Sequence, residues 1–380
     1  MFELFNLKDN SFPVTPGDQG DTPWFGFKAL KREFDTAFQR SASETLRLCV
    51  LNRGRLGAGK THAARYFSER QASRRNVGRY LRFLPIVIES PKQPQKAFVD
   101  FAGRLFNAIT FRRIVQAAEN LRTMTSEEKL FASLLDTTGS EDVATVLSKI
   151  TEANLLPSKT FLLGAGGVKE LRDLGLAKRL TSEHEFALAV IGVLHLLIHG
   201  QSNEPGPLSR VILWLDEMED LVYFPTRYYL PFTQAIREVI DSTSQHFTLL
   251  LNFTFSEPED LPAIENVLGQ ALMQRVNHHI VFKQPTAEDY DDYLLELLKH
   301  NRLDQRKCSQ TFPFSKEAFD LLIQSAATRT PRFLNKLCDM LLRDLQAVNT
   351  PGPGGRQEIS REAVEEKLPN ILTLIEEARG

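Results

Sequence analysis

The chain has 380 residues, of which 42% are hydrophobic and 25% are charged, as is typical of a globular protein. This length allows one large domain with appendages or two modest domains. Lysine and arginine total 46 and aspartate and glutamate total 48, so the formal net charge is −2. This charge excludes a global positive field, and any nucleic-acid contact has to come from a local patch.

The three cysteines, Cys49, Cys308 and Cys338, are scattered along the chain without the paired spacing of a metal site. Such sparse cysteines predict a reducing, cytoplasmic compartment. The first residues lack the basic start and long apolar core of a signal peptide. No uninterrupted apolar run approaches the ~18 residues that a membrane span needs, so we expect no membrane span.

The chain is predicted to begin with an extended arm over residues 1–23, which are rich in proline, glycine and aspartate. We expect this arm to be ordered only by packing on the body of the protein. An aromatic turn, residues 24–27 (WFGF), follows and precedes a predicted helix over residues 28–39. The turn fits two interpretations equally well, a cover over an adenine ring or ordinary core aromatics.

The strongest motif is GRLGAGKT at residues 54–61, which matches the phosphate-loop pattern G-x-x-x-x-G-K-[ST]. Residues 46–51 before it predict a buried strand, and residues 62–72 after it predict a helix. Glycines let backbone N–H groups curl around phosphate oxygens, and the helix N-terminus adds partial positive charge. We expect Lys60 to bind the β- and γ-phosphates and the Thr61 hydroxyl to coordinate Mg²⁺. The nucleotide-binding residues predicted here are Gly54, Gly57, Ala58, Gly59, Lys60, Thr61 and His62.

Arginines crowd residues 65–82, after the loop helix, with Glu69 as the only acid among them. This segment fits a contact with a nucleic-acid backbone, although a solvated helix face and turn is the favoured interpretation. Residues 83–88 then predict a strand, with Pro85 favouring either the first part of a strand or an edge strand, and residues 95–108 predict an amphipathic helix.

A mostly helical insertion is predicted at about residues 113–205. About 150 residues separate Thr61 from the next strand motif at Val211, far more than one crossover between parallel strands requires. His195 and His199 have the i, i+4 spacing that can bind zinc, but no third ligand accompanies them. We therefore do not expect a metal site in the insertion.

A second motif, VILWLDE at residues 211–217, is an apolar strand that ends in two acids. Asp216 is expected to hold Mg²⁺ through water, and Glu217 is expected to act as the general base on the attacking water. The next predicted strand, residues 246–255, ends in polar side chains. Asn252 or Thr254 either contacts nucleotide or only bonds the local backbone, and both interpretations remain open.

The last third of the chain is predicted to be helical. Residues 279–282 form a final short strand, and three helices then span residues 286–350 as a lid. A Pro/Gly linker opens residues 351–380, which end in an amphipathic helix. The pattern predicts an α/β three-layer fold with a parallel sheet over residues 24–285, followed by the small α-helical lid.

The order of these motifs resembles that of AAA+ P-loop ATPases. The segment TPRFLNKLCD at residues 330–339 is similar to the lid segment of ExeA-type secretion ATPases and of TnsC/TniB transposition regulators. FNLKDNSFPVTP at residues 5–16 resembles the arm that precedes ExeA-type domains, and origin-recognition ATPases share the core layout. The resemblance covers residues 1–350 except the insertion.

The resemblance implies roles for two further arginines. Arg332 would be the lid arginine that senses the γ-phosphate, and Arg275 would be the interface arginine that acts on the nucleotide of a neighbouring subunit. The chain departs from the family at Phe27, where an arginine is usual. No winged-helix segment follows the lid in this sequence, which weakens the expectation of sequence-specific DNA reading.

These features predict an ATPase with ATP and Mg²⁺ as cofactors that assembles with itself into a ring or a filament. It would act as a motor or matchmaker on DNA or a DNA-bound complex, in a transposition- or defence-like setting. The alternative is a nucleotide-dependent switch or scaffold that regulates a partner protein, with little or no DNA binding. Stimulation of ATP hydrolysis by DNA distinguishes the two.

Overall fold

The computed structural model describes residues 2–9, 11–14, 23–43, 47–73, 83–200, 210–243, 246–255, 261–305, 308–348 and 357–377. The second half of the arginine-dense segment, residues 74–82, therefore lies outside the described residues. So does the Pro/Gly linker at residues 351–355.

The described residues form one parallel sheet of five strands. The strands are β1 (Leu48–Gly54), β2 (Phe83–Glu89), β3 (Arg210–Asp216), β4 (Phe247–Thr254) and β5 (His278–Phe282). Their order across the sheet is β2-β3-β4-β1-β5. The predicted α/β fold with a parallel sheet and a C-terminal helical domain is confirmed.

Fifteen α-helices accompany the sheet in the described part of the chain. They are α1 (Lys28–Ser43), α2 (Lys60–Ser73), α3 (Ala97–Ile109), α4 (Phe111–Met124), α5 (Glu127–Thr138), α6 (Glu141–Lys149), α7 (Leu155–Leu162), α8 (Val168–Asp173), α9 (Glu183–Gly200), α10 (Thr226–Ser242), α11 (Leu261–Met273), α12 (Ala287–Asn301), α13 (Lys316–Ala326), α14 (Pro331–Val348) and α15 (Arg361–Glu377).

The place of each strand in the sheet follows from its residues. Every residue of β3 is buried, as expected for an apolar strand with neighbours on both sides. β2 alternates between buried and half-buried positions and lies at one edge of the sheet. At an edge, Pro85 need not cost a ladder hydrogen bond, so the predicted edge position is confirmed.

The chain divides into two compact units. The first, the helical unit, contains residues 1–34, 54–66 and 282–380. The second, the sheet unit, contains residues 35–53 and 67–281.

The two ends of the chain share the core of the helical unit. Phe2, Phe5 and Phe12 of the arm are at most 1% exposed and pack in one cluster with residues of α12, α13, α14 and α15. Asn335 of α14 donates a hydrogen bond to the Pro13 carbonyl (2.7 Å). The described part of the arm thus packs against the lid helices.

Side-chain caps begin two of the lid helices. The Thr286 hydroxyl accepts from the Asp289 backbone N–H, and the Asp289 carboxylate accepts from the Thr286 N–H at the start of α12. The Ser315 hydroxyl accepts from the Ala318 N–H at the start of α13.

The insertion of the sheet unit is built on α9, which packs against α3, α4, α5, α6 and α10. In the part of the chain that the structure describes, α9 is long and apolar enough to cross a membrane, unlike what uninterrupted apolar runs indicated. Because its charged residues and two histidines interrupt the apolar sequence, α9 contains no long uninterrupted apolar run. Of this segment, 67% is buried inside the protein, as in a core helix.

Candidate functional site

The phosphate loop, residues 54–61, has a backbone that requires glycine. Gly57 and Gly59 have φ of +78° and +100°, values that side chains disfavour. A Cβ at Gly54 would lie 2.5 Å from Phe282 Cβ, so only glycine fits there as well. The motif glycines are therefore needed for the shape of the loop.

Lys60 closes the phosphate loop from within. Its ammonium donates to the carbonyl oxygens of Gly54 (2.8 Å) and Arg55 (3.0 Å), and the residue is 6% exposed. Thr61 and His62 follow in the first turn of α2 and are half-buried, as is Ala58 within the loop. The ammonium is thus placed at the centre of the loop, where phosphate oxygens would bind.

The lid arginine lies directly against the phosphate loop. A Cβ at Gly57 would lie 2.9 Å from Arg332 Cβ and 2.9 Å from the Thr330 hydroxyl oxygen. The turn before α14 is held because Gln284 and the Tyr290 hydroxyl both donate to the Arg329 carbonyl (2.7 and 2.9 Å). Among the described residues, none forms an ion pair with Arg332.

The aromatic turn before α1 divides its residues between two roles. The Trp24 ring lies 5.8 Å from His62 and 5.2 Å from Tyr66, both on α2. Phe27 instead packs against Tyr293 of α12, with ring centroids 5.4 Å apart. Phe27 is thus an ordinary packing residue, whereas Trp24 lies beside the first turns after the phosphate loop.

A chain of buried side chains links the ends of β1, β4 and β3. Asn52 donates to the Asn252 side-chain oxygen (2.8 Å), and Asn252 donates to the Asp216 carboxylate (3.1 Å). Asn52 and Asn252 are 0% exposed, and Asp216 is 5% exposed. Since buried polar groups need partners, these bonds fix the orientation of the Asp216 carboxylate.

The sequence analysis missed Asn52. The only signal was a polar residue inside an otherwise apolar strand, two positions before Gly54. Of the two polar residues proposed on β4, the structure brings Asn252 to Asp216. Thr254 contributes its backbone N–H, which donates to the Glu219 carboxylate (2.9 Å).

Glu217 follows Asp216 with a strained backbone and a paired side chain. Its φ is +58°, which is uncommon for a residue with a side chain. Its carboxylate accepts from the Lys92 ammonium (2.7 Å), which also donates to Asp220 (2.6 Å). Burial alone would lower the pKa of Lys92, but the hydrogen bonds to Asp220 and Glu217 raise it above its ordinary value.

The acidic run after Glu217 continues with Glu219 and Asp220, which lie in the first helical turn after that residue. The segment Met218–Tyr223 is a short 3₁₀-helix, and the two carboxylates bind Thr254 N–H and Lys92. We call the four acids from Asp216 to Asp220 the carboxylate cluster. Lys92, which sequence reasoning also missed, is its cation.

Arg275 lies at the end of the sheet where the parallel strands begin, which we call the amino edge; it stands three residues before β5. It forms a two-pronged ion pair with Asp241 of α10, with N–O distances of 2.8 and 2.6 Å. The hydrogen bond from Arg275 holds the pKa of Asp241 below its ordinary value. The carboxylate cluster begins where β3 ends, at the opposite edge of the sheet.

The histidine pair in the insertion is part of the packing around α9. His195 is hydrogen-bond partner to the hydroxyls of Ser133 (3.1 Å) and Thr137 (3.3 Å), and its ring centroid lies 4.6 Å from that of His199. Burial lowers the pKa of His195 to about 4. Within the described residues, no group of three metal-ligating side chains forms. Hydroxyl hydrogen bonds therefore account for His195.

Comparison with known proteins shows the fold. No protein-family model matches the chain, and no curated protein matches it in sequence. Solved structures do match. The Aeropyrum pernix Orc1 protein in complex with DNA has a TM-score of 0.50 and 14% identity over 96% of this chain and 70% of its own. Cdc6p from Pyrobaculum aerophilum has a TM-score of 0.50 and 12% identity over 96% of this chain and 72% of its own.

At such low identities, these likenesses establish the fold alone, which is a parallel α/β sheet with a C-terminal helical domain. The resemblance to ExeA-type and TnsC/TniB proteins remains a prediction from the lid segment and the arm.

Proposed function

We propose that this protein binds ATP with Mg²⁺ and hydrolyses it. The observation that carries the proposal is the phosphate loop, whose glycines have the required φ angles while Lys60 and Arg332 lie against it. A complete motif on a matching backbone is the chemistry that a nucleoside triphosphate needs. The AAA+ fold supports the same conclusion.

The residue types of the two motifs suit a magnesium nucleotide. Thr61 stands in the first turn of α2, and within the sheet unit Asp216 is oriented by Asn252 at the end of β3. On the strength of the motifs, Thr61 would bind Mg²⁺ directly and Asp216 would hold it through water, and the ion would neutralise phosphate charge. The phosphate-loop residues Gly54, Gly57, Ala58 and Gly59 would offer backbone N–H groups to the phosphate oxygens.

Glu217 is proposed as the general base. A carboxylate next to the Mg²⁺ residue can take the proton of the attacking water. In the structure, the Glu217 carboxylate is engaged by Lys92 at 2.7 Å. Lys92 holds one oxygen of that carboxylate, and we infer that this contact opposes turnover until it opens.

The position of Arg275 supports the proposal that the protein assembles with itself. This side chain lies at the amino edge of the sheet, whereas Asp216 lies at the carboxyl edge, so Arg275 would act on a second copy. A head-to-tail ring or filament places such an arginine beside a neighbouring nucleotide.

His62, Trp24 and Tyr66 are proposed to contact the base of the nucleotide.

The proposed client is DNA or a DNA-bound complex in the cytoplasm, in a transposition- or defence-like setting. Orc1 of Aeropyrum pernix, which shares the fold, is a protein in complex with DNA. The test is ATP turnover of the wild type with and without double-stranded DNA, with Lys60→Ala as the background. We expect Lys60-dependent turnover that DNA increases.

A second function is favoured by one contact, the Lys92–Glu217 ion pair. With its base held, the protein would be a nucleotide-dependent switch or scaffold for a partner protein. In that case the wild type binds ATP tightly, turns it over very slowly, and does not respond to DNA. Lys60-dependent binding without DNA-stimulated turnover would therefore favour the switch.

A further inference from the structure

Three arginines gather around a single carboxylate in the sheet unit. Arg275 makes the two-pronged pair with Asp241, and Arg47 and Arg237 lie 4.0 and 3.9 Å from the same carboxylate. Three positive charges against one negative charge leave the arginine cluster with a formal charge of +2 (3 − 1). All four side chains are between 30% and 44% exposed, so the excess charge is accessible.

The guanidinium of Arg275 is held in one orientation. Nε and Nη2 donate to the two oxygens of Asp241, and Nη1 donates to the Ala271 carbonyl (2.6 Å). Arginine has five N–H donors, so two of them are uncommitted among the contacts of the described residues (5 − 3). A guanidinium fixed on one side and unbonded on another is preorganised for an additional anion.

The arginine cluster lies at the amino edge of the sheet. Arg47 directly precedes β1, and Arg275 stands shortly before β5. Asp216 ends β3, whose seven residues span about 20 Å at ~3.3 Å per residue. The cluster therefore lies far from the carboxylate cluster of its own chain, and a phosphate that binds it would come from another molecule.

We propose that Asp241 is a positioning residue that presents Arg275, flanked by Arg47 and Arg237, to the terminal phosphate of a nucleotide held by a second copy of this chain. The inference rests on the proposed ATP hydrolysis and deepens it, because it names the residues that build the site contributed by the neighbour. Arg47 and Arg237 are beyond hydrogen-bond distance of Asp241 and keep donors for phosphate oxygens.

The chemistry of the site explains why a carboxylate belongs in it. A long arginine side chain has many rotamers, and ordering it costs conformational entropy. Asp241 and the Ala271 carbonyl order the Arg275 side chain before a neighbouring subunit binds. The remaining N–H groups of Arg275 are then already oriented toward the developing phosphate charge. The two flanking arginines offset the negative charge that Asp241 brings.

The experiment compares Asp241→Asn, Arg275→Ala and the double variant, with Glu365→Gln as the control. Glu365 forms a similar exposed pair with Arg361 (2.7 Å) on α15, away from the cluster. We measure ATP affinity, thermal unfolding and turnover at saturating ATP and high protein concentration. We expect turnover to fall about tenfold in Asp241→Asn and on the order of 10³-fold in Arg275→Ala, with affinity within about twofold of the wild type.

Two readouts separate positioning from a stabilising role. The double variant should be no slower than Arg275→Ala, since Asp241 acts through that arginine. Asp241→Asn mixed with Lys60→Ala should recover turnover, because the Lys60→Ala subunit supplies an intact arginine cluster to its neighbour's intact phosphate loop. A purely structural defect in Asp241→Asn would not be rescued by another subunit.

The inference is overturned if Asp241→Asn turns ATP over as fast as the wild type or faster, or if the mixture shows no recovery while co-assembly is confirmed. Failure of the proposed function looks different. A wild type without Lys60-dependent turnover would remove ATP hydrolysis itself. If turnover depends on Lys60 but is unchanged by every substitution at Asp241 and Arg275, only the inference about the arginine cluster is wrong.

Discussion

The phosphate loop and the carboxylate cluster are built in opposite ways. The loop depends on backbone geometry, namely glycines at φ of +78° and +100° and one lysine that binds loop carbonyls. The carboxylate cluster depends on side chains from distant segments, since Asn252 orients Asp216 and Lys92 holds Glu217. A backbone site is rigid once folded, whereas an ion pair can open. The loop is therefore suited to binding and the cluster to control of turnover.

The largest effect is expected from removing the cation of the phosphate loop. Lys60→Ala should abolish ATP binding, with a loss of affinity on the order of 100-fold or more, because the phosphates lose their central positive charge. Titration with a fluorescent ATP analogue measures it. Lys129→Ala, a lysine on α5 of the insertion, is the matched control. Equal affinity in Lys60→Ala and the wild type would contradict the role of the loop.

Glu217→Gln should lower turnover without changing ATP affinity, and so distinguish the carboxylate cluster from the phosphate loop. We expect ATP affinity within about twofold of the wild type and turnover lower by about 10²- to 10⁴-fold, the usual contribution of a general base. Steady-state phosphate release and equilibrium binding provide the two measurements. If hydrolysis is unchanged, the base lies elsewhere, and Glu219, which accepts from Thr254 N–H, is the next candidate.

A methyl group at Gly57 should distort the phosphate loop without removing a charged group. Gly57→Ala combines a disfavoured φ, which costs about 1–2 kcal/mol, with a Cβ 2.9 Å from Arg332 Cβ. We expect ATP affinity to fall about tenfold. Gly103→Ala is the control, since its Cβ would make ordinary contact at 3.8 Å inside α3. Equal ATP affinities in the two variants would show that the lid arginine does not constrain the loop.

The smallest effect is expected at Lys92. Lys92→Met removes the partner of Glu217, so we expect turnover without any client to rise two- to fivefold, matching the ~1 kcal/mol that an exposed ion pair contributes at most. Lys96→Met, four residues away in an exposed position, is the control. Turnover that falls in Lys92→Met would instead make Lys92 a group that supports hydrolysis.

Local patterns predicted the elements that carry the site. The phosphate-loop motif, the strand ending in Asp216 and Glu217, and the lid helix beginning at Pro331 all appear within a few residues of their predicted places. Each was recognisable because its signal lies within about ten consecutive residues: a glycine spacing, an apolar run or a helix cap. The edge position of β2 was likewise readable from Pro85.

The partners of those residues were not predictable in the same way. Asn52 and Asn252 are 200 positions apart in the chain, and Lys92 and Glu217 are 125 apart. Nothing local distinguishes Lys92 from any other surface lysine. The arm showed the same limit, because its phenylalanines pack against helices near the other end of the chain.

Residue order along short stretches was thus enough to specify the α/β fold class, the phosphate loop and the identity of the acidic pair, since backbone conformation and hydrophobic periodicity are local properties. Folding of the whole chain brought Asn252 to Asp216, Lys92 to Glu217 and Asp241 to Arg275. These contacts join separate segments, and a hydrogen bond or ion pair between distant segments exists only after packing has placed both groups within about 3 Å.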